Sequence, residues 1–77
     1  MTIEVRLFAL LRQFLPHQDG PCWIDVPVGS SLGEVLDQLK VPRERPHILL
    51  RNGRHSHLDE TLEPGDVVSV FPPVAGG

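Results

Sequence analysis

Several features are scarce in this sequence, and each scarcity closes off a class of function. Cysteine occurs once, at Cys22, so neither an internal disulfide nor a cysteine-rich zinc site can be built. No block of lysine and arginine occurs, and the formal net charge is −3. The chain therefore carries no electrostatic footprint for nucleic acid or an anionic membrane surface. No apolar stretch approaches the roughly 20 residues needed to span a bilayer. The start, Met1-Thr2-Ile3-Glu4-Val5-Arg6, lacks the basic region and apolar run of a signal peptide. No phosphate-binding glycine loop is present, so ATP is expected to bind a partner and no cofactor this chain. A length of 77 residues gives material for one modest core and little room for an enclosed active-site cavity. The expected class is a carrier or binding module without catalytic activity of its own, and the expected compartment is a reducing cytoplasm.

What is present is a clear succession of periods. Ile3, Val5 and Leu7 alternate with Glu4 and Arg6, the period of a half-buried strand. From Phe8 to Leu15 the period changes; Leu7, Leu10, Leu11, Phe14 and Leu15 fall at helical offsets, and Pro16 stops the run. Cys22, Ile24, Val26 and Val28 alternate again, with Pro27 marking a strand end or an edge. Ser31 and Glu34 form a capping box ahead of an apolar helix face of Leu32, Val35, Leu36 and Leu39. Pro42 is expected to end that helix just after Val41. Ile48-Leu49-Leu50 reads as a strand, Asn52-Gly53 as a type I′ hairpin turn, and residues 54–57 as the return strand. A single helical turn is expected over Leu58–Glu63, then a turn at Pro64-Gly65-Asp66 and a last strand at Val67–Phe71. This order predicts an α+β β-grasp: a mixed sheet of four or five strands packed on one main helix. The expected division is a domain over 1–71 and an extended, flexible C-terminal tail over 72–77.

The tail is the unusual feature. Pro72-Pro73 fixes φ at two successive positions and favours an extended spacer. Val74-Ala75-Gly76-Gly77 then tapers to no side chain at all. A terminal carboxylate that must enter another protein's active site needs so thin a leash, because glycine lets backbone walls approach closely. By itself Gly-Gly more often marks a frayed end than a functional one.

The surrounding residues change that balance. The stretch Gly65-Asp66-Val67-Val68-Ser69-Val70-Phe71-Pro72-Pro73-Val74-Ala75-Gly76-Gly77 closely resembles the end of the MoaD/ThiS family of ubiquitin-like sulfur carriers. Its last seven residues are similar to those of the family's molybdopterin synthase small subunits. Val5-Arg6-Leu7-Phe8-Ala9-Leu10-Leu11-Arg12 and Gly29-Ser30-Ser31-Leu32-Gly33-Glu34-Val35-Leu36 resemble the family's first strand and capped helix. Arg51 departs from it, standing where an aliphatic residue is usual, as does the loop Pro42–Pro46, which is rich in proline and arginine. The resemblance implies a ubiquitin-like fold and a mechanism. An adenylating enzyme spends ATP to turn the Gly77 carboxylate into an acyl-adenylate. Sulfur from a donor protein displaces AMP and leaves a thiocarboxylate, with Gly76 keeping the end thin. An acceptor, for the molybdopterin type the large synthase subunit, takes the sulfur. Thiamine or cysteine synthesis, and conjugation to lysine amines as a protein modifier, are the alternatives. A plain interaction module with an incidental Gly-Gly stays open as well.

Docking to such partners needs an exposed apolar patch. If Val68 and Val70 face the core, Phe71 faces out with Ser69, and Phe8 faces out on the first strand. Phe8, Phe71, Pro72, Pro73, Val74 and Ala75 are therefore the candidate partner-binding residues, joined by one of Leu49 and Leu50. Other candidates have plainer readings. Cys22 could carry a persulfide, but its place in the apolar alternation favours a buried structural thiol. His55 and His57 would share a strand face, yet two ligands without a third make a weak metal site, and none is expected. Asp59, Glu60, Glu63 and Asp66 read as turn chemistry and a solvated surface.

Overall fold

The computed structural model describes residues 1–73; Val74, Ala75, Gly76 and Gly77 lie outside the described residues. The alternation at the start produces strand β1, Thr2–Leu7. Ile3, Val5 and Leu7 are sealed in the core, while Arg6 stands exposed on the other face. Strand β2, Cys22–Asp25, pairs antiparallel with β1, setting Ile3 opposite Ile24. Strand β3, Ile48–Arg51, and strand β4, Arg54–His55, form the Asn52-Gly53 hairpin. Both turn residues hold positive φ, 50° and 81°, as a type I′ turn requires.

Strand β5, Val67–Phe71, lies parallel to β1 and antiparallel to β3. The sheet order is β2-β1-β5-β3-β4. A parallel central pair needs a long crossover, and helix α1, Leu32–Gln38, lies within it. Its buried face of Leu32, Val35 and Leu36 joins Ile3, Val5, Leu11, Val68 and Val70 in one cluster. This is the β-grasp that the element order predicts.

The capping box forms as read: Glu34 N–H donates to Ser31 Oγ at 3.2 Å, and Ser31 N–H donates to Glu34 Oε1 at 2.9 Å. The other end departs from expectation. The helix stops before Pro42 is reached, because Lys40 adopts φ 63° and Val41 N–H turns back to the Leu36 carbonyl at 3.0 Å. That pattern closes the helix by a left-handed residue.

Three further expectations are corrected. No helical turn forms over 58–63. The carbonyls of Leu58 and Glu60 instead accept from Gly33 and Leu32 N–H, both at 2.9 Å, satisfying first-turn donors that a helix leaves free. Gly33 permits this approach; a Cβ there would meet the Leu58 carbonyl oxygen at 3.1 Å. Second, Val28 does not continue β2 and is 81% exposed, since the strand ends at Asp25 and Pro27 offers no N–H to a ladder. Third, the short helix expected after β1 does form, over Ala9–Phe14, but as a 3-10 helix, so Leu10 does not join its apolar face. Its three-residue period aligns Leu11 with Phe14 and leaves Leu10 77% exposed.

Candidate functional site: the outer sheet face and the end of β5

The site is built by register. Ser69 stands beside Arg6 on β1 and opposite Leu50 on β3, and Phe71 stands opposite Ile48. These residues point away from the core, because Val68 and Val70 between them are fully buried. Phe8, one residue past β1, donates its N–H to the Val70 carbonyl at 3.1 Å, and His47 N–H donates to the Phe71 carbonyl at 2.8 Å. The strand is thus held from both sides to its last residue, and the chain leaves it at Pro72.

Phe8 and Phe71 meet face to face, with ring centroids 4.3 Å apart and planes within 6°. Phe8 is 37% and Ile48 39% exposed, and Phe71 is half-buried. Stacking orders the two rings without hiding them. Of the leucine pair, Leu50 takes the outer face, opposite Ser69 and His55. Leu49 packs against the core cluster. Pro72 is half-buried and Pro73 exposed. Ile48 was not among the candidates; only the register shows that it faces Phe71.

The same face grows polar away from the aromatics. Glu4 points outward yet is buried, with Arg6 Nε on its Oε2 at 2.6 Å. The Arg6 side chain remains half exposed. At the far end of β5 the solvated reading of Asp66 is overturned: it is 7% exposed. Its carboxylate accepts from Arg51 Nε at 2.7 Å, Asn52 Nδ2 at 2.9 Å and Glu63 N–H at 2.8 Å. Burial pushes this carboxyl up, but those hydrogen bonds and the Arg51 charge outweigh burial and hold it below the usual aspartate value. Asn52 Oδ1 accepts from Val67 N–H at 2.9 Å, so the hairpin is tied to the first residue of β5. Arg51, the departure from the family pattern, also reaches Glu60 at 3.4 Å.

Cys22 is buried, its thiol on the His17 carbonyl at 3.3 Å. His55 lies on β4, but His57 falls beyond the two-residue strand and shares no strand face with it. Among the described residues no group of three or more His, Cys, Asp or Glu could hold a metal ion, and no helix is long and apolar enough to cross a membrane. Gly76 and Gly77, the proposed reactive end, lie outside the described residues, as do Val74 and Ala75.

A five-stranded mixed sheet with a capped helix in its crossover and an aromatic pair at the end of the last strand defines a small ubiquitin-like protein. The ThiS family model matches residues 5–77, and the chain belongs to that family of ubiquitin-like sulfur carriers and modifiers. It is 37% identical over 94 aligned positions to small archaeal modifier protein 3 of Haloferax volcanii, with all of both chains covered. Two solved structures share the fold. The putative molybdopterin converting factor subunit 1 of Pyrococcus furiosus superposes with a TM-score of 0.72 at 30% identity, covering 95% of this chain and 98% of that one. The complex of molybdopterin-converting factor subunits 1 and 2 from Helicobacter pylori 26695 matches with a TM-score of 0.62 at 26% identity, over 100% of each chain.

Proposed function

We propose that this chain is a sulfur carrier that works through its C-terminal Gly77 and serves as the small subunit of a molybdopterin synthase. A free carboxylate is a poor electrophile; adenylation by a partner enzyme that holds the ATP gives it a leaving group. The persulfide of a donor protein then attacks the adenylate and expels AMP. A thiol reduces the resulting acyl disulfide, taking up the donor's cysteine as a mixed disulfide, and the thiocarboxylate so released serves the large synthase subunit. The chain supplies the sulfur and the docking surface, and its partners run the catalysis. The observation that carries the reading is the stacked Phe8–Phe71 pair at the point where β5 ends and the Pro72–Gly77 segment begins. An apolar anchor there fixes the origin of the tail against a partner, so that six residues of thin chain reach a defined place. The subunit 1–subunit 2 complex of Helicobacter pylori supports a synthase partner.

A second reading has its own support. The similarity to small archaeal modifier protein 3 favours a modifier whose Gly77 forms an isopeptide bond with a lysine amine. The first step, activation of the carboxylate, is common to both. The test is the intact mass after incubation with ATP, the host's adenylating enzyme and a sulfur donor. Replacement of one oxygen by sulfur at Gly77, absent from a chain lacking that residue, is the expected result. An unchanged mass, while the same enzyme charges another carrier, would sink the sulfur reading.

A further inference from the structure

Strand β1 runs on past the end of its neighbour β2. Successive residues of a strand turn their main-chain N–H and carbonyl groups to opposite edges. Glu4 N–H donates to the Asp66 carbonyl at 3.0 Å and Phe8 N–H to the Val70 carbonyl at 3.1 Å, so the even residues of β1 face β5. The odd residues face β2, with Ile3 opposite Ile24 and Val5 opposite Cys22. The ladder ends there, because β2 begins at Cys22. Leu7 is the next odd residue, and neither its N–H nor its carbonyl has a hydrogen-bond partner among the described residues. The loop before β2 does not supply one. By register Gly20 would stand opposite Leu7, but its φ of 90° turns the chain aside, and its carbonyl lies 3.9 Å from the Cys22 thiol instead. Pro21 has no N–H to give.

Beside this open edge lies a groove of about 400 Å3 lined by Leu7, Phe8, Arg12, Leu15, Gln18 and Pro21. Gln18 Nε2 donates to the Arg12 carbonyl at 2.8 Å, tying the loop to the 3-10 helix. Arg12 is exposed and takes no ion pair among the described residues. Arg6 and Glu4 also line the groove and pair with each other. The chain as a whole carries −3, yet this groove is locally cationic.

A main-chain donor and acceptor left unpaired on a strand edge form a template for another strand, and leaving them unmet costs free energy. We infer that the groove takes an extended, acidic peptide segment of a partner protein. The segment's main-chain carbonyl accepts from Leu7 N–H and its N–H donates to the Leu7 carbonyl, adding a short strand to the sheet. A carboxylate of the segment pairs with Arg12, and its apolar side chains rest on Phe8 and Leu15. A basic segment is repelled by the same arginine. Nothing in this pairing depends on the fate of Gly77. Phe8 borders both the groove and the aromatic patch, so one partner can cover the two together.

The experiment uses the full chain labelled with nitrogen-15 and a capped hexapeptide of alternating valine and glutamate, followed by NMR. In the free chain the Leu7 amide should exchange with solvent about tenfold faster than the ladder-bonded amide of Val5. The peptide at millimolar concentration should shift the Leu7 amide and slow its exchange about tenfold. Lysine in place of glutamate, methylation of the peptide's main-chain nitrogens, or Arg12→Ala in the protein should each weaken binding about tenfold. Arg12 is exposed, so an unchanged spectrum elsewhere shows that the variant is folded. A Leu7 amide as protected as that of Val5 in the free chain, no response of Leu7 to the peptide, or equal binding of the lysine or methylated peptide would overturn the inference. Equal binding by Arg12→Ala would overturn it as well.

Discussion

Strand β5 begins in a polar knot and ends in an apolar one, and the two ends do different work. At the start, Asp66 gathers Arg51, Asn52 and Glu63 and is nearly sealed from water. Both oxygens of the Asp66 carboxylate have donors within the fold. At the finish, the rings of Phe8 and Phe71 satisfy one another by stacking but leave surface for something else to cover. Buried polar groups must find partners within the fold, whereas apolar surface can wait for one. The polar end therefore fixes where β5 starts, and the apolar end is the place at which the proposed partner would dock.

The largest effect is expected at the closed end. Asp66→Ala removes an acceptor from three donors and leaves Arg51 part-buried without its main partner, a loss of about 3 kcal/mol. For a domain of this size that lowers the melting temperature by about 15 °C, measurable by calorimetry, while the aromatic patch stays unchanged. The pH dependence follows from the same carboxylate. Its folded-state pKa lies below the unfolded value, so its contribution is complete above the unfolded value of about 4. It is lost as pH falls through the folded-state value. Urea titrations at stepped pH should show this acid slope in the parent and a shallower one in Asp66→Ala; equal slopes would deny Asp66 its role as hub.

At the open end the sign of the comparison reverses. Phe71→Ala should weaken binding to the synthase partner or the adenylating enzyme about 30-fold, or about 2 kcal/mol, and cost the fold only about 1 kcal/mol. Titration calorimetry beside a thermal melt separates the two quantities. A large stability loss with intact binding would mean that the stacked pair is core in disguise.

Two smaller changes lie away from both ends. Ser31→Ala deletes the acceptor for Glu34 N–H and should destabilise by about 1 kcal/mol. Lys40→Gly relieves the left-handed backbone at φ 63° and should stabilise by up to about 1 kcal/mol. Chemical denaturation of both variants checks the pair, and a destabilised Lys40→Gly would show that the lysine side chain supports the fold.

Much of this was legible in the residues. The alternation in β1 and β5, the capping box at Ser31 and Glu34, and Asn52-Gly53 each encode structure within a few positions, since each rests on a local steric or hydrogen-bonding rule. The outward direction of Phe8 and Phe71 followed from the same period-2 rule. The misreadings of 58–63 and of Asp66 involve partners distant in sequence, whereas Val28 and the end of α1 were decided locally, by Pro27 and by the Val41 N–H bond to the Leu36 carbonyl. The segment 58–63 has turn chemistry, but its carbonyls were claimed by α1, more than twenty positions earlier. Asp66 looked like a solvated turn acid because Arg51 and Asn52 are remote from it in sequence. Ile48 gained its place only when β3 settled against β5 with Phe71 opposite.

By itself, then, the sequence determined the elements, the faces they present and the thin Pro72–Gly77 end, because propensity, capping and periodicity act over short spans of chain. Only the tertiary structure decided the strand order, the stacking of Phe8 on Phe71 and the burial of Asp66. Those depend on which distant groups compete for the same hydrogen bonds and the same apolar surface, and that competition is resolved only when the whole chain is packed.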